Sequence, residues 1–141
     1  MKTIILTIPI VIGLMLSLAG CGGAPKPMGV SGIVTLDGRP IESGIIVLEP
    51  VGSSGQRRTA KINNGAFVLA TEAGVPPGEE FKVVIQAFKK TGKKYPSPEP
   101  GVFYDEEVQY LPEKYNSAST LRVKISPDER ENQLKFELTS H

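Results

Sequence analysis

From Val30 onward, short apolar runs alternate with turn residues, and the 3.6-residue period of an amphipathic helix is almost absent. Val30–Leu36 is rich in β-branched residues and stops at Asp37-Gly38, a strong turn signal. Residues 44–49 include Ile45-Ile46-Val47-Leu48, apolar at both parities, which predicts a strand covered on two sides. Residues 58–62 and 66–70 flank Asn63-Asn64-Gly65, whose Asn-Gly pair predicts a type I′ hairpin. After Pro76-Pro77-Gly78, the residues Phe81, Val83, Ile85 and Ala87 alternate with Lys82 and Gln86 in a long strand. Leu121, Val123 and Ile125, and then Leu134, Phe136 and Leu138, alternate with charged neighbours, so each set has one apolar face and one wet face. About seven strands without βαβ spacing predict an all-β antiparallel sandwich over residues 30–141.

The first 20 residues follow a different pattern. Lys2 is the only charge before position 26, an apolar run follows over residues 4–18, and Ala19-Gly20 precede the single cysteine, Cys21. A membrane span wants about 20 apolar residues. This run contains Pro9 and Gly13 and is followed by Gly22-Gly23-Ala24-Pro25, which reads instead as an export signal. Leu18-Ala19-Gly20-Cys21 resembles the lipobox of bacterial lipoproteins. That resemblance implies a diacylglyceryl group on the Cys21 thiol, cleavage between Gly20 and Cys21, and acylation of the new amino terminus. The protein is then expected at the cell envelope, lipid-anchored to a membrane and facing the periplasm or exterior. On the same resemblance, residues 1–20 are expected to be the signal and residues 21–29 a lipidated tether. With no second cysteine, the domain has no internal disulfide available.

Composition narrows the partners. Without Lys2 the remaining chain carries 15 basic and 15 acidic residues, so no net field draws it to nucleic acid. Fifteen glycines and twelve prolines fit a domain of many turns.

Gly32-Ile33-Val34, Asp37-Gly38-Arg39-Pro40-Ile41, Asn64-Gly65-Ala66-Phe67 and Pro77-Gly78 leading to Phe81-Lys82-Val83 together resemble the carboxypeptidase regulatory-like, prealbumin-type sandwich. Leu111-Pro112-Glu113-Lys114-Tyr115 and Ser119-Thr120-Leu121 are similar to stretches of small bacterial lipoproteins carrying one such domain. Asn64 stands where the family usually has aspartate, and Glu79-Glu80 adds one residue before Phe81. The resemblance implies a prealbumin-like or Ig-like fold more strongly than it implies any activity.

Catalytic chemistry finds little support. The only histidine is the terminal His141, so no Ser-His-Asp or Cys-His set can be assembled. Asp105-Glu106-Glu107 lacks the spacing of a calcium loop and reads as a solvated acidic loop, so no metal or other cofactor is expected. Lys89, Lys90, Lys93 and Lys94 read as a charged edge that discourages strand aggregation.

Residues 89–118 form a long connection that holds Tyr95, Phe103, Tyr104, Tyr110 and Tyr115, five of the nine aromatics. A disordered linker would be poor in such residues. The segment is expected to fold back as a cover, with Phe103 inside, while Tyr95, Tyr104, Tyr110 and Tyr115 mark a possible binding surface. The functional expectation is a noncatalytic binding or structural module, with an envelope protein or polysaccharide as possible partner. The alternative is a carbohydrate- or peptidoglycan-binding accessory to an enzyme on another chain.

Overall fold

A computed structural model of the chain describes Gly23, residues 25–52 and residues 55–141; the apolar run and the Gly20-Cys21 junction lie outside the described residues. Nine strands make up the fold: β1 (Val30–Leu36), β2 (Arg39–Pro40), β3 (Ser43–Pro50), β4 (Arg58–Asn63), β5 (Ala66–Leu69), β6 (Glu80–Pro96), β7 (Phe103–Gln109), β8 (Arg122–Lys124) and β9 (Gln133–Leu138). β2 has only two residues; β1, β3, β4, β5, β6, β8 and β9 fall on the seven runs expected from the alternation, β8 over three residues only, while β7 lies inside the 89–118 connection, where the alternation gave no strand.

The two predicted turns form where the residues permit them. Asp37 and Gly38 have φ of 48° and 77°, and Asn64 and Gly65 have 46° and 80°. Both pairs therefore have the positive φ at both central positions that a type I′ turn requires. Leu36 opposes Arg39 across the first turn, and Asn63 opposes Ala66 across the second.

The strand path runs β2-β1-β5-β4-β3-β6-β7, with β9 added to β1 and β8 to β6. β4 and β5 pair only at Ile62–Phe67 and Asn63–Ala66, next to the hairpin turn. The path folds over at that corner, so β9-β1-β5 faces β4-β3-β6. Phe67, Leu69, Phe136 and Leu138 of one layer and Ile46, Ala60, Val83 and Ile85 of the other belong to one buried cluster. On β6 the alternation is strict, since Phe81, Val83, Ile85 and Ala87 are each at most 1% exposed. On β3, Gly44, Ile46 and Leu48 are buried while Ile45 and Val47 are only half-buried, so its second face is partly wet rather than covered.

One pairing escapes local patterning. β9 runs parallel to β1, from Ser31–Gln133 to Leu36–Leu138, while the other seven pairings are antiparallel. It closes β1 on the side away from β5. Asn132, 2% exposed, prepares the entry to β9: its Oδ1 accepts from the Ser126 N–H at 2.9 Å and its Nδ2 donates to the Ser126 carbonyl at 3.0 Å.

The domain has two distinct poles. At one, Met28 exchanges backbone hydrogen bonds with Val75, Val30 opposes Leu69, and Pro50 opposes Phe81. Arg58 Nε joins this end by donating to the Gly74 carbonyl at 3.0 Å. At the other pole lie Leu36, the Asn64-Gly65 turn, and Gly44 opposite Ala87. The chain enters the sandwich at the first pole, and β6 leaves it at the second.

Candidate functional site

β6 does not stop where its apolar alternation ends. It continues for 17 residues to Pro96, and β7 returns along it, forming a two-stranded arm that projects beyond Ala87. At about 3.4 Å per residue, the seven residues of β7 span about 20 Å. The register runs from Phe88–Gln109 through Lys90–Glu107 and Lys94–Asp105 to Pro96–Phe103, with a bulge between Lys90 and Lys94. Ser97-Pro98-Glu99-Pro100-Gly101-Val102 closes the tip, where the Ser97 N–H donates to the Val102 carbonyl at 2.8 Å. The acidic run Asp105-Glu106-Glu107 is thus a strand and not the loop expected from sequence.

Charge rather than apolar packing holds this ribbon together. Lys90 Nζ lies 2.6 Å from Asp105 Oδ2. Glu106 accepts hydrogen bonds from the Tyr95 hydroxyl at 2.5 Å and from the Thr91 hydroxyl. Hydrogen bonding to Lys90 holds the Asp105 carboxyl below its ordinary range, and the bonds from Thr91 and Tyr95 do the same for Glu106. The reciprocal effects raise Lys90 and Tyr95.

The two faces of the ribbon differ. Tyr104, Glu106, Val108 and Tyr110 alternate along one face of β7, opposite Tyr95 and Lys89, and this face continues the core-facing side of β6. Within the sandwich that side is roofed by β9-β1-β5. Past Leu36 the roof ends, leaving an open cleft of about 470 Å³ between the Asp37–Pro40 turn and the root of the arm, bordered by Leu36, Ile41, Lys89 and Tyr110. Lys89 Nζ sits 5.8 Å from the centre of the Tyr110 ring.

The predicted aromatic surface divides into two. Tyr95 and Tyr104 are directly paired near the tip and are 53% and 59% exposed. Tyr110 is half-buried against the core at the root. Tyr115 is buried, and its hydroxyl accepts from the Thr139 N–H at 2.9 Å. Phe103, expected inside, is instead 60% exposed. Its position on β7 faces away from the core side, and no second layer extends that far along the arm.

The cover expected from the sequence does exist, but only in the second half of the connection. From Tyr110 to Leu121 the chain lies along the β6 edge left open between β7 and β8. The Tyr110 N–H donates to the Ala87 carbonyl, the Val83 N–H donates to the Leu121 carbonyl, and the Ser119 hydroxyl donates to the Val83 carbonyl at 2.5 Å. Buried Asn116 closes this segment through Nδ2, which donates to the carbonyls of Leu111 and Pro112 at 3.2 and 3.1 Å. Alternation could not reveal the arm, because both of its faces are wet. The legible signal was the clustering of lysines before, and acids after, a Pro-Gly tip.

Among the described residues, no three His, Cys, Asp or Glu side chains are grouped to hold a metal ion, and no helix is long and apolar enough to cross a membrane. No protein-family model, curated protein or solved structure matches the chain.

Proposed function

We propose that this chain is a lipid-anchored envelope protein, noncatalytic, that holds a β-ribbon arm away from its membrane to engage a partner. The observation that carries this reading is the polarity of the domain: residues 21–29 lead into the pole at Met28 and Val30, and the arm leaves from the opposite pole beyond Ala87. Fully extended, the eight residues between Cys21 and Val30 reach at most about 29 Å, so an anchor at Cys21 would hold the Met28 pole within that distance of the lipid and leave the arm at the opposite pole. Among the described residues, Val102, Phe103, Tyr104, Tyr95 and Val108 are five of the eight exposed large hydrophobic residues, and these five all lie on the arm. Apolar groups concentrated on a projecting element mark an interaction surface.

Kinship with carboxypeptidase regulatory-like sandwiches is part of the same proposal. It is supported by where the quoted motif residues fall, with Asp37-Gly38 and Asn64-Gly65 in the two type I′ turns and Gly78 at positive φ before β6.

Anchoring is tested at the thiol. Cys21→Ser should abolish lipid attachment and shift the protein out of the detergent phase or leave an uncleaved precursor. Two acyl chains make membrane attachment durable, so their loss should be plain in phase partitioning. Identical partitioning of variant and wild type, with no mass difference corresponding to acyl groups on the wild type, would reject the anchor.

A further inference from the structure

We infer that the free edge of β7 accepts an extended, alternately basic and apolar segment of another protein as an added strand. This rests on reading the arm as the docking element and goes further by naming the chemistry of its occupant. β7 is the last strand on its side of the path, so its outward backbone groups face no strand of this chain among the described residues. An unpaired edge is a template for strand addition.

The side chains specify what can be added. Asp105 and Glu107 lie on one face of β7, and Tyr104 and Val108 lie on the other with Glu106. Glu106 is already satisfied by Tyr95 and Thr91, and Asp105 by Lys90. Glu107 opposes Lys90, whose ammonium is bonded to Asp105 and feels the Glu107 charge without pairing with it, and among the described residues Glu107 lies in no ion pair. A strand laid beside β7 therefore has Asp105 and Glu107 as its nearest charges on one face, with Lys90 and Lys94 one strand further off, and exposed tyrosine and valine on the other. Basic residues at alternate positions, with apolar residues between them, complement both faces.

A second copy fits poorly, although its β6 edge carries Lys89, Lys90, Lys93 and Lys94. Copies anchored in the same membrane share one orientation. Pairing β7 of one with β6 of the next would set the two β6 strands only two strand spacings apart, about 10 Å. Within the sandwich β3 and β4 follow β6 at those same spacings, so β4 of the second copy would fall on β6 of the first. Two-fold pairing of inverted copies sets β7 against β7 or β6 against β6, which places like charges together. A slender segment from a different protein meets neither obstacle. A glycan is the weaker match, because the Tyr95 hydroxyl is committed to Glu106 and the edge offers a backbone ladder that a sugar does not use.

The test uses the full chain carrying Cys21→Ser in detergent micelles, so that its outcome does not depend on anchoring. Backbone amide signals are followed during titration with a blocked peptide of alternating lysine and valine. The expected result is a set of shifts centred on residues 103–109, with binding roughly tenfold weaker for a glutamate–valine peptide or for Glu107→Lys. N-methylation of alternate peptide nitrogens on the pairing edge should abolish binding, because the added ladder is lost. Equal binding of the acidic and basic peptides, undiminished binding of the N-methylated peptide, or no shifts in β7 would each overturn the inference. Shifts at Tyr95 and Tyr104 produced by a chitin oligosaccharide, with the peptide silent, would overturn it in favour of a glycan. Absence of peptide binding here, alongside lipid attachment of the wild-type chain, would overturn the added strand and leave the envelope reading standing.

Discussion

Phe136→Ala is expected to destabilise the sandwich by about 3–5 kcal/mol, the range for emptying a buried aromatic site. Phe136 is 8% exposed, opposes fully buried Val34 across the parallel β1–β9 pair, and brings its ring centre to 6.3 Å from that of Phe67. Truncation removes apolar area and leaves a void beside Phe67 that the paired backbones of β1 and β9 cannot close. Denaturant unfolding should show a lower midpoint with an unchanged slope, as expected when stability alone is altered. A loss below about 1 kcal/mol would place the ring outside the core and make the inward parity of β9 wrong.

Gly32→Val should have a still harsher effect, through backbone rather than volume. A Cβ on Gly32 would stand 2.1 Å from the Leu134 carbonyl oxygen and 2.8 Å from Phe67 Cε1. The first of these atoms belongs to the strand hydrogen-bonded to β1, so relief requires β9 to move off and give up ladder bonds. Ordinary overpacking costs about 1–3 kcal/mol, and displacement of a paired strand should raise this to at least about 3 kcal/mol. The variant should be recovered in low yield with a weak, broad melting transition. A melting curve matching wild type would show that β9 does not lie against Gly32.

Gly32 also illustrates how far the sequence could be read. The Gly32-Ile33-Val34 motif was visible as a family-like pattern, but its reason appears only when β9 is placed, one hundred residues later, parallel to β1. Local signals served well wherever a strand had one dry face. Val30–Leu36, the two type I′ turns, the buried set on β6 and the inward Phe136 and Leu138 all follow from alternation and turn chemistry. The arm failed to register because the residues past Phe88 have no dry face; Lys-Lys-Thr-Gly-Lys-Lys reads as a loop unless paired with Asp-Glu-Glu across the tip. The aromatic residues of the connection misled for the same reason. Their number suggested burial, yet only Tyr115, and in part Tyr110, have a layer to pack against, while Phe103 stands beyond it.

The connection therefore has two physical roles. Its second half belongs to the fold, tied down by Ser119, Asn116 and Tyr115. Its first half is a charge-paired ribbon whose ion pair, Lys90–Asp105, lies at the surface and contributes little to holding the sandwich together. Two strands alone are marginally stable in water, and the arm adds no buried residue between Lys89 and Gln109. The domain thus divides into a sandwich with its own core and an arm that adds nothing to that core.

The most direct test joins Lys90 to Glu107, a directly opposed pair, through Asn-Gly in place of residues 91–106 in the otherwise full chain. This keeps Lys89, Val108 and Tyr110 at the root and replaces the arm with the shortest hairpin the register allows. Thermal unfolding of this variant should keep its midpoint within about 3 °C of wild type, because a domain of this size shifts by several degrees for each 1 kcal/mol lost. A midpoint lowered by more than about 10 °C would contradict the account, since residues 91–106 would then be part of what holds the sandwich together.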